Sequence, residues 1–198
     1  MRDVNRTIGD QPIQGDKHTV LKCTTSYTID SAGQDRIESV WMIAYQEDHQ
    51  GRAFTTDDWS SQPPTGEVTC RCQSDEGTSV QPVLVVDEPT NKQFVLYLHP
   101  PVGKTVRTLQ VRQTWPGMWN DLRVNGRDYV ELSARTGLQE AVTRIHIPAS
   151  MGHFEWVKST VKEIVLTEST AGAQQTPLTF TVAAPQAGTK YRADLIRS

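Results

Sequence analysis

The chain has 198 residues, 36% of them hydrophobic and 22% charged, with 13 Gly and 11 Pro. This is enough to bury one large core or two small ones, and it excludes collagen-like and broadly disordered classes. The formal net charge is −3, but residues 1–103 carry 8 basic and 15 acidic side chains (net −7) while residues 104–198 carry 12 and 8 (net +4), which fits halves that steer toward each other or an anionic partner on the second half.

No stretch approaches the roughly 18 apolar residues of a membrane span, so no membrane insertion is expected. Arg2 and Arg6 are not followed by an apolar segment of the signal-peptide kind. Three cysteines make a poor disulfide framework. A soluble, cytoplasmic protein is the expectation.

Residues 1–17 hold Gly9, Pro12 and Gly15 among charges without apolar periodicity and read as a flexible lead-in. From residue 18 to 198 a β domain is expected, with a candidate subdivision near 100–104. Leu21, Cys23, Thr25, Tyr27 and Ile29 share one parity in a β-branched run that ends in the turn Asp30-Ser31-Ala32-Gly33. In Ile37 to Tyr45 both parities are apolar, Trp41, Ile43 and Tyr45 on one and Val40, Met42 and Ala44 on the other, which predicts a central strand paired antiparallel with the first. Gln46 to Gly66 is polar, with Pro63-Pro64, and reads as a long loop.

Strand signals resume at Val68-Cys70-Cys72, at Val80 to Val86 interrupted by Pro82, and at Phe94 to Leu98. Lys104 to Ser133 then reads strand, aromatic corner, strand: Leu109, Val111 and Trp115 keep one parity, Pro116-Gly117 breaks the run, and Asn125-Gly126 is a tight-turn dipeptide. Ala141 to Ile147, Phe154 to Val157, Val161 to Thr167, Leu178 to Val182 and Tyr191 to Leu195 complete the series, with Glu168 to Gln175 as a surface loop. Helical turns fit only at Asp57 to Ser61, Trp115 to Leu122 and Ala134 to Ala141. Roughly ten short strands with turn signals between them and little helix predict an all-β fold, an antiparallel β-sandwich. Cys23 and Cys70 flank Trp41, but Val68 stands where the immunoglobulin family places a tyrosine, so the architecture is expected to resemble that of immunoglobulin-like domains without membership of the family.

Four groups could carry chemistry. Cys70 and Cys72 share a strand face and, with Cys23 and His18, are candidate zinc ligands, although the spacing is irregular for zinc and buried apolar thiols give the same pattern. Gly103-Lys104-Thr105 lacks the upstream glycine and following helix of a phosphate loop. His146, His153 and Glu155 could serve acid/base chemistry or simply stand on a wet strand face. Trp119 with Arg112, Arg123 and Arg127 offers a flat ring beside cations, suited to a protein hot spot or to stacking on an anionic ligand. Trp115 has the inward parity, whereas Trp119, past the break, is open to either role.

No HExxH or G-x-S-x-G occurs and no motif implies a cofactor. The sequence therefore favours a non-catalytic recognition or sensor module with a protein partner. The alternatives are binding of an anionic small molecule or nucleic acid by the basic second half, and a hydrolase whose site is assembled in space.

Overall fold

The computed structural model describes residues 18–45, 51–60, 62–75, 77–157, 163–167 and 177–198; the expected lead-in at 1–17 and loop at 168–175 lie outside these. Within them the strands are β1 (His18–Thr28), β2 (Arg36–Tyr45), β3 (Gly51–Trp59), β4 (Thr69–Ser74), β5 (Ser79–Asp87), β6 (Asn91–Val102), β7 (Val106–Thr114), β8 (Arg127–Ser133), β9 (Glu140–His146), β10 (Phe154–Trp156), β11 (Ile164–Thr167), β12 (Pro177–Ala183) and β13 (Lys190–Arg197). One short helix, α1 (Asn120–Asn125), follows the aromatic corner.

The strands form three sheets. A seven-stranded sheet runs β11-β12-β9-β1-β2-β7-β4, and two three-stranded sheets run β10-β13-β8 and β3-β6-β5. The all-β expectation holds. The wholly antiparallel one does not, because β1 and β9 pair in parallel, Cys23 beside Ala141 and Tyr27 beside Ile145. Alternation reveals which residues share a face and is blind to strand direction, so nothing in the pattern could have marked that pair. The large sheet draws β1, β2 and β4 from before residue 103 and β7, β9, β11 and β12 from after it.

Both small sheets cover the same face of the large one. One core gathers Ile37, Ile145, Leu178, Phe180 and Val182 of the large sheet against Val130, Phe154, Trp156, Tyr191 and Leu195 of the β10-β13-β8 sheet. The other gathers Val20, Ile43, Leu109, Val111 and Ala141 against Phe54, Phe94, Leu96 and Leu98 of the β3-β6-β5 sheet. The three central strands cross from one core to the other along their length: on β1 Tyr27 packs with the first and Cys23 with the second, and Ile37 and Ile43 on β2 and Ile145 and Ala141 on β9 divide likewise. Thr25, Ser39 and Thr143 occupy the register row between them, and the Thr25 and Ser39 hydroxyls lie 3.1 Å apart in a hydrogen bond.

The polar stretch expected as a loop contains β3, which pairs with β6 from Gly51↔Val102 to Trp59↔Asn91. Its sequence GRAFTTDDW offers one large aliphatic or aromatic side chain before the terminal tryptophan, the buried Phe54, so alternation gave no signal; the ladder with β6 supplies what the side chains do not. Pro82 is tolerated because β5 is the outer strand of its sheet. Ala134 to Ala141, expected to hold a helical turn, forms a turn that leads into β9.

The corner is knotted to the β1–β2 turn. Asp35 is fully buried. Its carboxylate accepts hydrogen bonds from the Asp30 N–H at 3.1 Å, from the Trp119 N–H at 3.0 Å and from the Arg123 guanidinium. Arg123 also donates from Nε and Nη2 to the Asp30 carbonyl, at 3.1 and 2.7 Å, and the Trp115 N–H donates to the Asp35 carbonyl at 2.9 Å. Asn125-Gly126 proves to be a helix terminus: Gly126, at φ +68°, donates to the Leu122 carbonyl at 3.1 Å, the left-handed C-terminal position that glycine adopts without a Cβ penalty.

Asp35→Ala should cost about 3–5 kcal/mol in denaturant unfolding, the usual loss when one partner of a buried ion pair is removed and the other stays charged. Asp35→Ala combined with Arg123→Met should cost less than Asp35→Ala alone, because no buried charge is then left without its partner.

Candidate binding face

Of the aromatic and basic residues singled out in the sequence, Trp119 is 4% exposed and meets Tyr27 edge-on at 5.3 Å, so its ring belongs to the core with Trp115. Arg123 is committed to Asp35 and Asp30. Arg127 opens β8, exposed and level with Ile196 on the outer side of the β10-β13-β8 sheet. Arg112 instead stands on the open face of the seven-stranded sheet, 3.1 Å from Glu38. The structure does not gather the four into one patch.

The proposed zinc ligands are also kept apart. Cys70 and Cys72 do share the inward face of β4, but Cys23 lies on β1 with β7 and β2 between, three strand spacings or about 14 Å away. All three thiols are half-buried against the second core, and Cys23 accepts a hydrogen bond from the Trp41 indole N–H at 2.9 Å. Among the described residues no three His, Cys, Asp or Glu side chains come together in a way that could hold a metal ion. Burial pushes the Cys72 thiol up to about 12, with a weaker opposing effect from the Gln73 backbone. His146 stands on β9 and Glu155 on β10, in different sheets.

The feature that the candidate list missed is the other side of the seven-stranded sheet. Its inward face carries both cores, and no described element packs over its outward face. On β2 the outward Val40 and Met42 are 41% and 36% exposed, and Val106 on β7 and Val165 on β11 are exposed as well. Backbone register aligns these residues into rows across the sheet. One row reads Gln73, Gln110, Val40, Thr24, Val142, Thr181, Val165, with no charged member over seven strands. The adjacent row reads Arg71, Arg112, Glu38, Ser26, Arg144, Thr179, Thr167. On the other side Thr108, Met42, Lys22 and Glu140 align, with Lys22 3.5 Å from Glu140. His146 lies on this face beyond Arg144. Partial burial lowers its pKa, the Arg144 charge lowers it further, and Glu38 pulls the other way, so it adds no charge at neutral pH.

The signal for this face was present in the sequence. An apolar pattern on both parities of β2 predicts a central strand with both faces covered. β2 is indeed internal to its sheet, but no described element covers its Val40–Met42 side.

With the thiol equilibrium pushed so far up, Cys72 in the native protein should resist iodoacetamide at pH 8, and should react at the rate of a free cysteine only after unfolding; mass spectrometry of the alkylated chain reads this directly. A second group responds to pH. The Asp128 carboxyl is pushed up to about 6 by burial, with Asp121 adding to the rise and the Tyr129 N–H and Arg192 opposing it. The folded state then holds this proton more tightly than the unfolded chain, so its contribution to stability is present below the usual carboxylate range and is lost as pH rises through 6. Asp128→Asn should therefore raise Tm at pH 7.5 relative to the parent, and the difference should close by about pH 4.

No protein-family model matches the sequence, and no curated protein matches it. Solved structures do resemble the fold. An M1 zinc metallopeptidase from Deinococcus radiodurans superposes with a TM-score of 0.54 at 13% identity, covering 91% of this chain and 42% of that one. A two-domain M1 zinc metallopeptidase bound to L-tryptophan gives 0.54 at 13% identity, over 95% and 45%. The chain thus spans less than half the length of these enzymes, and at such identity the likeness is one of fold: a β-rich portion of a larger protein.

Proposed function

We propose that this chain is a non-catalytic recognition module that docks a protein partner on the outer face of its seven-stranded sheet. The observation that carries the reading is the uncharged row through Val40, Val142 and Val165, flanked by Met42 and left open on a sheet whose opposite face bears both cores. Exposed aliphatic side chains gathered in one place on a folded surface mark interaction sites more often than isolated ones do. The immunoglobulin-like comparison enters here as one of use, a β scaffold presenting a surface.

The resemblance to zinc metallopeptidases supports a module rather than an enzyme. In the two described above, more than half of the chain lies outside the matched portion, and the present sequence has no HExxH motif of the kind that binds zinc in many such enzymes. A β portion that accompanies other protein mass has use for a large open face.

Val40→Asp combined with Met42→Asp should abolish recovery of the partner by affinity capture while moving unfolding free energy by no more than about 0.5 kcal/mol, the range of ordinary surface changes. Tyr129→Asp, on the exposed side of the β10-β13-β8 sheet, should leave recovery intact. Capture that survives the Val40 and Met42 changes and is lost with Tyr129 would move the docking site to the other sheet and end this reading.

A further inference from the structure

The docking reading leaves the chemistry of the partner open, and the charges on the face narrow it. Five basic side chains point outward from the large sheet, Lys22, Arg36, Arg71, Arg112 and Arg144, against the carboxylates Glu38 and Glu140. Two of the five are neutralised in place, Lys22 by Glu140 and Arg112 by Glu38. Among the described residues Arg36, Arg71 and Arg144 have no ion-pair partner.

Cross-strand pairing places Arg71 directly opposite Arg112, and like charges in that position work against the sheet rather than for it. The chain as a whole is acidic, at −3, so this cationic strip runs against its own composition. The basic row and the uncharged row are adjacent, two residues apart along each strand. A complementary surface has carboxylates in one line and aliphatic side chains in the next. A single-stranded nucleic acid would add phosphates to the arginines but would need rings on which to stack its bases. Among the described residues the exposed Phe, Tyr or Trp side chain is that of Tyr129, which belongs to a different sheet.

We infer that the outer face binds an acidic protein segment, its carboxylates seated along Arg36, Arg71 and Arg144 and its aliphatic side chains on Val40 and Met42. The inference rests on the docking reading and adds the charge of the partner to it.

The test uses the full chain and two synthetic peptides, one alternating Glu and Leu and one alternating Lys and Leu, followed by backbone amide NMR shifts and titration calorimetry. The Glu–Leu peptide should shift amides of β2, β7 and β9. Its affinity should fall at least about tenfold in an Arg71→Glu, Arg144→Glu variant, hold in an Arg71→Lys, Arg144→Lys variant, and weaken as salt rises from about 50 to about 300 mM. The Lys–Leu peptide should leave these strands unchanged. If both peptides bind β2, β7 and β9 alike, the docking face stands and the acidic partner is wrong. If neither shifts those strands, the docking face fails together with the inference. Tighter binding of a single-stranded oligonucleotide or of phosphatidylserine vesicles than of the Glu–Leu peptide would assign the strip to another class of anion and overturn the proposal, as would a peptide-independent rise in sedimentation with protein concentration, the mark of a second copy on the face.

Discussion

The buried pair of Asp35 and Arg123 holds the first strand turn to the aromatic corner, and the rest of the arrangement follows from that junction. A carboxylate fully removed from water is tolerated only when donors surround it. Here those donors come from three places in the chain: the Asp30 N–H in the turn, the Trp119 N–H at the start of α1, and the Arg123 side chain within α1. The same contacts fix Trp115 and Trp119 beside Ile29 and Ile37 in the first core. β13 is attached to the same place: the Arg197 N–H donates to the Gly126 carbonyl at 2.7 Å and its guanidinium reaches the Arg123 carbonyl at 3.2 Å, at the helix end where a cation is favoured. Through α1, the β1–β2 turn and β13 are therefore held in one geometry.

A sheet of seven strands presents more inward area than a three-stranded layer can cover, and the protein covers it with two such layers, offset both along and across the strands. The division costs a boundary. Thr25, Ser39 and Thr143 stand on that boundary, where a large aliphatic side chain would be shared between two cores with different packing partners, and the hydrogen bond between the Thr25 and Ser39 hydroxyls keeps their polar atoms satisfied. The parallel pairing of β1 with β9 sits at the centre of the same sheet. It brings the second half of the chain alongside the first, so β9 and β12 extend the sheet on one side while β2, β7 and β4 extend it on the other.

What the sequence made legible was what alternation encodes. β1, β2, β7, β9, β12 and β13 announced themselves through runs such as Leu178, Phe180, Val182, because their inward positions are mostly apolar. β3 was hidden because its backbone ladder with β6, rather than a periodic apolar face, makes it a strand. Strand direction and sheet order were out of reach for the same reason that the thiols were misleading: Cys23 and Cys70 share a parity, but the three strand spacings between them depend on which strands intervene, and that is a long-range property. Trp119 and its arginines were read as neighbours because they are close in sequence. The fold sends Trp119 inward, turns Arg123 to a buried carboxylate and leaves Arg112 on the far side of a sheet.

β2 carries the step from fold to function. A strand apolar on both parities is ordinarily one with layers above and below it, and its inward side meets that description through Ile37, Ile43 and Tyr45. Its outward side, Val40 and Met42, has the composition of a covered surface without a described cover. Left bare and continuous, such a face would invite aggregation, yet here the uncharged row is bordered by Arg71, Arg112, Glu38 and Arg144 on one side and by Lys22 and Glu140 on the other. Those charged borders hold water at the edges of the strip and keep the apolar surface narrow, a single row widened on β2 by Met42. On the proposed docking, the excess of arginine over carboxylate in the borders would favour a surface that brings its own carboxylates, which regains by pairing what it loses by desolvation, over one that brings cations and adds to the repulsion between Arg71 and Arg112, which stand opposite each other in register.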